Sequence, residues 1–445
     1  DDSRFFSPFM PFFDARIGRP STPMETYLRL MFLKFRYRLG FESLCREVSD
    51  SIAWRRFCRI GLEQPVPHPT TLMKLTTRCG SAAVEGLNEA LLAKAADAKL
   101  LRCARVRVDT TVVPSNVAYP TDAGLLAKAV GRIAATGRRI HAAGGATRTR
   151  LRDRSRAAGK RAHAIASKLR SRAAAGREEA MAAVTKANAE LADLADTAAA
   201  EAGRLLANAK RALRKARTTA AQRKVDGLPD PVAGRRRGRL ARAVNDLEEL
   251  LEATRRIAAQ TRQRLAGVTP DGSTRRVSLH DPDARPIAKG RLGKPVEFGH
   301  KAQVVDNDDG VVLDHDVQPG NPTDAPRMEP AIKRVARRTG RKPRTVAADR
   351  GYGEAGVDDA LHNLGVRNVV IPRKGRPTKT RQAEEHRRAF RRHLKWRTGC
   401  EGRISSLKRG YGWDRSRIDT TEGARIWVGH GVLTHNLVKI SALAS

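Results

Sequence analysis

The sequence predicts an α/β domain that is interrupted by a long α-helical insert and preceded by an all-α N-terminal domain. Short helical patterns fill the first hundred residues, and β-branched runs occur near residue 105 and again after residue 285. Between these runs the composition changes to alanine, arginine, lysine and glutamate, which favour helices. The predicted boundaries are 1–100 for the N-terminal domain, 101–122 for the first strand of the α/β domain, 123–285 for the insert and 286–445 for the remainder of that domain.

The charge balance indicates the kind of partner. Lysine and arginine number 86 against 47 acidic residues, a net charge of +39 over 445 residues. A polyanion such as nucleic acid is the natural partner of so basic a chain, although charge alone does not separate an enzyme from a structural binder. Five cysteines without a C-x-x-C pair suit a reducing cytoplasm, and no apolar stretch is long enough for a membrane span.

The N-terminal segment is predicted to hold several short helices. Apolar residues between Tyr27 and Phe35 fall on one helical face, and Phe41 to Val48 and Ser51 to Cys58 indicate two more helices. Thr70 or Thr71 is a plausible N-cap for the next helix. Such a series is typical of a DNA-reading helix-turn-helix and also of a generic helical bundle, and both interpretations stay open.

The insert is predicted to be a pair or bundle of long helices, broken between Gly227 and Gly238. The apolar positions that would form its packing seam are Leu191, Leu194, Ala198, Leu205 and Leu206. The insert is interpreted either as a solvated hairpin that only stiffens the protein or as a basic arm that tracks DNA phosphates or pairs subunits.

The α/β domain is predicted to begin with a valine-rich strand from Arg105 to Val113 that contains Asp109 and ends at Pro114. A basic segment, 373–397, leads into a helix that carries Glu401 and Lys408. The elements predicted between these two are a hairpin of Glu297 to Val305 with Val311 to Val317, a helix from Thr323 to Arg338, and strands from Arg344 to Ala348 and from Asn368 to Ile371.

Three carboxylates stand at informative places in this pattern. Asp109 lies among valines, where an unpaired carboxylate is costly to bury, and Asp349 ends an apolar strand just before a glycine-rich loop. Glu401 shares a helix face with Arg397 and Lys408. Taken singly, each has an ordinary explanation as a structural carboxylate, a turn aspartate or part of a solvated salt-bridge stripe.

Clustered carboxylates have a chemical use in phosphodiester chemistry. In-line attack at phosphorus is assisted by two divalent cations that activate the entering oxygen and neutralise the leaving one. Magnesium and manganese prefer hard oxygen ligands, so the protein supplies carboxylates. A histidine is a poor ligand for magnesium, and we therefore leave His300 and the adjacent Lys301 out of the candidate catalytic residues.

The motif set resembles that of bacterial insertion-sequence transposases with an RNase H-like DDE domain. The segments that carry the resemblance are Val108-Asp109-Thr110-Thr111, Ala348-Asp349-Arg350-Gly351-Tyr352 and Arg397-x3-Glu401-x6-Lys408. The third matches the last three positions of a Y-x2-R-x3-E-x6-K signature, but Leu394 stands where the signature has tyrosine, with Trp396 as a candidate substitute. The stretches 280–285, 297–301 and 319–324 are similar to those of the ISNCY-type group.

This resemblance implies a function and a site. Asp109, Asp349 and Glu401 would be the catalytic residues and the ligands of two Mg²⁺ or Mn²⁺ ions, and Arg397 and Lys408 would hold DNA phosphates. The implied activity is cleavage at the ends of an insertion sequence followed by strand transfer. The implied partners are double-stranded DNA, namely the terminal repeats and the target, and further copies of the chain in a homodimer or larger assembly. The implied location is the bacterial cytoplasm, on the nucleoid.

Two other functions stay open on the sequence alone. A nuclease of the same fold would use the same metal site to cut DNA without joining it. A non-catalytic DNA-binding protein would explain the charge and the basic helices, but not three carboxylates at the ends of α/β elements.

Overall fold

The computed structural model describes residues 3–13, 22–170, 177–225, 230–289 and 295–445. The chain has a mixed α/β fold with a six-stranded sheet and divides into two compact units. Unit 1 comprises Asp1–Asn116 and Ile287–Ser445, and unit 2 comprises Val117–Pro286. No helix among the described residues is both long and apolar enough to cross a membrane.

The sheet is built around its first strand. Its strands are β1 (Arg105–Pro114), β2 (Arg285–Ala288), β3 (Val296–Asn307), β4 (Val312–Pro319), β5 (Thr345–Ala348) and β6 (Asn368–Val370). The order is β2-β3-β1-β5-β6, with β4 also paired to β3. β1 runs antiparallel to β3 and parallel to β5, which in turn runs parallel to β6. The predicted first strand, the hairpin and the two later strands are confirmed, whereas β2 was not predicted.

The helices of unit 1 lie on both sides of the β1 segment in the sequence. Before β1 they are α1 (Ser3–Phe6), α2 (Met24–Arg36), α3 (Phe41–Asp50), α4 (Ile52–Phe57) and α5 (Pro69–Asp97). The predicted helices in this segment are present, but the cap assigned to Thr70 or Thr71 was wrong. α5 begins at Pro69, and the side chain of His68 accepts a hydrogen bond from the Thr70 N–H. Proline at the first helical position is compatible with a helix because its missing N–H would have no partner there.

A kink divides α5. Gly80 has φ +74° and ψ 176°, a backbone conformation outside the helical region. Beyond it, the backbone N–H and the hydroxyl of Ser81 both donate to the Glu422 carboxylate, at 2.7 and 2.8 Å. Glu422 therefore satisfies a donor left without a helical acceptor where the second half of α5 starts.

Unit 2 contains four long helices, numbered after α5. They are α6 (Asp122–Ala142), α7 (Ser155–Arg170), α8 (Arg177–Val225) and α9 (Pro231–Leu265). Of the predicted seam, Leu191, Ala198 and Leu205 are buried, and Leu194 and Leu206 are partly buried. The helices therefore pack through alanine and leucine side chains, as expected for an amphipathic bundle.

The predicted break from Gly227 to Gly238 was wrong for its second half. α9 starts at Pro231, and the Asp230 side chain accepts hydrogen bonds from the N–H groups of Val232 and Ala233. An aspartate cap followed by proline is a strong helix start, which outweighs the cost of the glycines inside the first turns. Residues 227–229 lie outside the described residues.

The remaining helices of unit 1 follow β4. They are α10 (Met328–Thr339), α11 (Val357–Asn363), α12 (Lys379–His386), α13 (Arg388–Arg397), α14 (Gly399–Gly410) and α15 (Thr420–Ala444). The helix predicted from Thr323 starts later, because a 3-10 turn at Ala325–Arg327 precedes α10.

The two faces of β1 have different neighbours. Val106 and Val108 are fully buried in the main core of unit 1, which also includes residues of α2, α5 and α10. Arg105, Arg107 and Asp109 alternate with these valines and therefore point to the other face. On that face, Phe390 of α13 packs against Ala347 and Val370 of the neighbouring strands. The sheet thus separates an apolar face from the face that carries the candidate site.

Candidate active site

Asp109 and Asp349 lie next to each other on neighbouring parallel strands. The last residue pair in the β1–β5 register is Val108 opposite Ala348, and the next residue on each strand is the aspartate. Adjacent strands are about 4.8 Å apart, so the two carboxylates start from neighbouring backbone positions. The parallel pairing of two strands thus brings together two aspartates that are 240 positions apart in the sequence.

Asp109 is a buried carboxylate with one charged partner. It is 9% exposed, its Oδ1 accepts from the Thr110 N–H at 2.8 Å, and its Oδ2 accepts from Nη1 of Arg397 at 3.1 Å. Burial raises the pKa of Asp109 to about 6, against the lowering effects of the Thr110 N–H and Arg397. The negative charges of Asp349 and Glu401 raise it further. Asp109 is therefore close enough to both Asp349 and Glu401 to be repelled by them.

Asp349 caps a short turn directly after β5. Its Oδ1 accepts from the Gly351 N–H at 2.9 Å, at the start of a 3-10 turn formed by Arg350–Tyr352. Burial, followed by the charge of Asp324, raises the pKa of Asp349, while Arg397 and Lys301 lower it.

Arg397 and Glu401 come from consecutive helices. The sequence predicted one helix for both, but Arg397 is the last residue of α13 and Glu401 lies in the first turn of α14, on either side of Thr398. Arg397 and Glu401 still form an ion pair across the boundary between the two helices, because Thr398 keeps a right-handed helical backbone. Nη2 of Arg397 lies 3.6 Å from Oε1 of Glu401. Glu401 is the most exposed of the three acidic residues, with a side chain 68% accessible to solvent. Lys408, half-buried, lies in the last turn of α14.

Arg107 holds the α13–α14 junction against β1. Its Nε and Nη2 donate to Asp306 at 2.7 and 2.9 Å, and its Nη1 donates to the carbonyl of Trp396 at 3.1 Å. A Cβ atom on Gly399 would lie 2.1 Å from Nη1 of Arg107, so a larger residue at this position would require the Arg107 guanidinium to move away from its partners. Sequence reasoning missed this role, although an arginine two residues before Asp109 in a valine-rich strand was a visible signal.

Comparison with known protein families identifies the family of this chain. Residues 1–78 match the family described as a transposase domain (DUF772), and residues 268–437 match the transposase DDE domain. The chain belongs to the DDE transposases. The second segment contains Asp349 and Glu401, whereas Asp109 and most of unit 2 lie outside both. The assignment to the ISNCY-type group has no support in these matches.

One curated protein that is similar to this chain has a name that describes no function. The uncharacterized protein ORF8 in the nfe locus of Rhizobium meliloti is 30% identical over 134 residues. The aligned part is 29% of this transposase and 64% of ORF8, so the chain spans less than two thirds of that relative. No solved structure matches the chain significantly.

Leu394 stands where the signature of the transposase family has tyrosine. It packs beside Phe390 against the sheet and is therefore part of the core. Trp396, the candidate substitute for that tyrosine, is packed against the same cluster and lies beside two arginines. The guanidinium groups of Arg105 and Arg107 lie 4.7 and 4.9 Å from its centroid. Trp396 therefore serves the packing of α13 on β1 through cation–π contacts.

A fourth acidic residue of this transposase stands beside Asp349. A Cβ atom on Gly351 would lie 3.0 Å from Oδ1 of Asp349 and 3.2 Å from Oδ2 of Asp324, so both carboxylates approach the same point. Nζ of Lys301 lies 2.8 Å from Oδ1 of Asp324 and donates to the carbonyl of Pro322 at 2.9 Å. Lys301 thus neutralises Asp324. The sequence drew attention to both segments but not to this pairing.

Carboxylate oxygens are hard donors that suit a divalent cation, and the acidic residues that the sequence suggested for that role are Asp109, Asp349 and Glu401. Among the described residues, however, no group of three or more His, Cys, Asp or Glu side chains is arranged so that it could hold a metal ion. Arg397 instead supplies the positive charge next to Asp109 and Glu401. The chemistry of these oxygen donors suits magnesium or manganese, and a cation beside Asp109 would offset the burial and the neighbouring negative charges that disfavour its ionised form.

Proposed function

We propose that this DDE transposase cuts DNA at the ends of an insertion sequence and joins the freed ends to a target, with the help of divalent metal ions. In this proposal Asp109, Asp349 and Glu401 are the catalytic residues and would hold two Mg²⁺ or Mn²⁺ ions. The observation that carries the proposal is the β1–β5 register, which brings Asp109 beside Asp349 at the end of the strand pairing.

We further propose that the catalytic domain has an RNase H-like fold. Its support is a mixed sheet in which the central β1 carries one acidic residue and pairs antiparallel with β3 and parallel with β5. The second acidic residue follows β5, and the third lies on α14, which contacts β1. In the same proposal unit 2 is an insert, since the sequence of unit 1 is interrupted between Asn116 and Ile287.

When bound, the cations would activate the attacking oxygen and neutralise the leaving oxygen at phosphorus. The protein's own residues do the remaining work. Asp109 and Asp349 are held by β1 and by the turn after β5, so their positions are fixed before DNA arrives. Asp109 must lose its proton to act as a ligand, and the neighbouring Arg397 favours that ionised form.

Arg397 and Lys408 are proposed as phosphate-binding residues. Arg397 is held near Asp109, where its fork of donors can approach both a carboxylate and a phosphate. Its Nε is buried and has no hydrogen-bond acceptor among the described residues. Lys408 is on the same helix as Glu401, two turns further on.

The proposed partners are the terminal repeats of the element and a double-stranded target. The net charge of +39 supports contact with a polyanion over a large surface. Joining two element ends requires two active sites, so we propose that the chain works as a homodimer or a larger assembly on DNA.

The test is an assay in which purified protein and Mg²⁺ are mixed with a labelled terminal-repeat fragment and a plasmid. We expect wild-type protein to produce both cleaved and joined products, and Asp109→Asn and Asp349→Asn to lose both while they still bind the fragment. The matched control is Asp414→Asn, which removes one charge from an exposed carboxylate of unit 1 that pairs with Arg38. It should retain both products.

The outcomes separate the candidate functions. Cleavage without joined products would replace the proposal with a nuclease. Binding without either product, in wild-type protein with Mg²⁺ or Mn²⁺, would leave only a DNA-binding protein. Full activity in Asp109→Asn would remove Asp109 from the site.

A further inference from the structure

Unit 2 contains a cleft that the proposed chemistry does not use. Its volume is about 470 Å³, within the range of small-molecule and nucleotide sites. The walls come from the start of α6 and from the segments before α6 and after α9, and the apolar part is formed by Val117, Pro120, Leu125, Val277 and Leu279. Tyr119, at the mouth, is 79% exposed, an unusual state for a large aromatic side chain.

A row of basic side chains continues from the cleft along α6. Lys128 and Arg132 line the cleft and are one turn apart, and Arg139 lies seven residues further on the same helical face. Lys128 and Arg132 are exposed and make no ion pair within the part of the chain that the structure describes. From Lys128 to Arg139 the row extends over roughly 16 Å at 1.5 Å per residue.

The row ends at a second basic depression. A cavity of about 280 Å³ is lined by Arg139, Arg239 and Arg242 together with two alanines. Arg139 pairs with Asp246 at 2.8 Å, whereas Arg239 and Arg242 are exposed on α9 and make no ion pair among the described residues. One edge of unit 2 therefore combines an apolar cleft with an exposed ring and four cations, Lys128, Arg132, Arg239 and Arg242, that have no acidic partner in the described part of the chain.

We propose that this edge of unit 2 binds a single DNA strand, with one unpaired base in the cleft against Tyr119 and the following phosphates on Lys128, Arg132 and the three-arginine cavity. This proposal depends on DNA being the partner of the protein, but not on cleavage or on metal ions. It gives the insert a role in holding strand ends or unpaired nucleotides.

The combination of an apolar cleft, an exposed aromatic ring and a row of basic side chains favours a single DNA strand over a duplex. A cleft admits a base only when the base has left its pair, and aromatic stacking is the usual way in which proteins hold unpaired bases. A double helix presents mainly phosphates to such a surface and would not place a base against the apolar walls or the Tyr119 ring. An acidic protein segment could form ion pairs with the basic side chains, but it would not account for the aromatic ring of Tyr119 at the cleft.

The test uses the full chain in EDTA, so that no strand is cut. The probe is a single-stranded oligothymidylate that contains one 5-iododeoxyuridine, which crosslinks to a stacked aromatic ring under ultraviolet light. We expect the crosslinked peptide to contain Tyr119. In fluorescence anisotropy, Tyr119→Ala should bind the oligonucleotide about tenfold more weakly, and Tyr119→Phe should bind like wild type, because the ring is what stacks.

The proposed contacts of Lys128 and Arg132 with phosphates are tested by the salt dependence of affinity, with a matched control variant. Lys128→Ala and Arg132→Ala should each lower the slope of log affinity against log salt by about 0.7, as expected for loss of one single-strand phosphate contact. Arg138→Ala is the matched control, because Arg138 is also exposed on α6 but pairs with Asp153 at 2.9 Å. Its salt slope should equal that of wild type.

Crosslinks confined to other peptides, equal affinity of Tyr119→Ala and wild type, or an equal loss of slope in Arg138→Ala would each overturn the proposal. Because Asp109→Asn should crosslink like wild type, these outcomes are separate from a failure of the catalytic assignment.

Discussion

Arg397 lies between two of the three candidate carboxylates, with its Nη1 3.1 Å from Oδ2 of Asp109 and its Nη2 3.6 Å from Oε1 of Glu401. The side chains of Arg397 and Asp109 are only 14% and 12% exposed, so water screens their attraction weakly. Burial has the largest effect on the pKa of Asp109, and Arg397, together with the Thr110 N–H, opposes it by favouring the ionised carboxylate.

The rate of DNA cleavage should fall as the pH drops through about 6, because the pKa of Asp109 is raised to about 6 by burial and the protonated carboxyl is a poor ligand for a cation. In Arg397→Gln the pKa of Asp109 should rise further, since a charge that lowers it is gone. The acid limb of the pH–rate profile should then shift to higher pH. Single-turnover cleavage rates measured over a pH series check both expectations.

The control for this profile is Arg409→Gln, which removes one charge from the exposed end of α14 without contact to Asp109. Its acid limb should coincide with that of wild type. If Arg397→Gln lowered the rate without moving the limb, Arg397 would act on DNA alone and not on Asp109.

Asp109→Asn should make the metal-free protein more stable at neutral pH. The pKa of Asp109 is about 6 in the folded chain and near 3.8 in an ordinary setting, so folding favours its protonated form. The ionised group therefore destabilises the fold above pH 6, by on the order of 2–3 kcal/mol at 1.36 kcal/mol per pKa unit. Between pH 6 and 4 this penalty disappears as Asp109 becomes protonated.

Urea unfolding of wild type and Asp109→Asn in EDTA measures this difference at several pH values. We expect a higher midpoint for the variant at pH 7 and a difference that shrinks toward pH 4. Asp414→Asn, at an exposed salt bridge, should change the unfolding free energy by less than about 1 kcal/mol. A variant less stable than wild type at pH 7 would show that the contacts of ionised Asp109 stabilise the fold by more than the burial of its charge destabilises it.

Arg107→Met should destabilise the protein strongly and misplace the α13–α14 junction. The substitution leaves Asp306, which is fully buried, with the more distant Arg403, at 3.5 Å, as its remaining cationic partner among the described residues. Removing one partner of a buried ion pair costs about 3–5 kcal/mol. We expect a loss of that order in urea unfolding, together with loss of DNA cleavage, because Arg397 and Glu401 flank the junction.

Arg105 supplies a matched comparison on the same strand. It also pairs with an aspartate, Asp308, and lies over the same Trp396 ring, but its side chain is 41% exposed. Arg105→Met should therefore cost about 1 kcal/mol or less. Equal costs at Arg105 and Arg107 would mean that the stacking on Trp396, and not the buried ion pair, holds the junction.

The sequence predicted the elements whose pattern is local. The valine run around Asp109, the hairpin of β3 and β4, and the short helices before residue 60 are confirmed, because apolar periodicity and turn residues determine them. α9 was predicted to start too late, since Pro231 was interpreted as a breaker although Asp230 makes it a helix start.

Contacts between distant segments were harder to predict. Nothing in the residues around Arg107 indicates that Asp306, almost two hundred positions away, is its partner. The same holds for Lys301 and Asp324, whose pairing depends on the β3–β4 hairpin. The catalytic assignment of Asp109, Asp349 and Glu401 stays a prediction that the assays above must test.

The distance along the chain between β1 and β5 also sets an order of events during synthesis. Ribosomes add about 5–20 residues per second, so β1 waits roughly 10–50 s before its parallel partner exists. The helices of unit 2 make mostly contacts with one another and are complete well before that moment. Glu401 is translated later still. A nascent or truncated chain that ends before Glu401 thus lacks one of the three proposed catalytic carboxylates, and the proposed cleavage of DNA would become possible only after Glu401 has been translated.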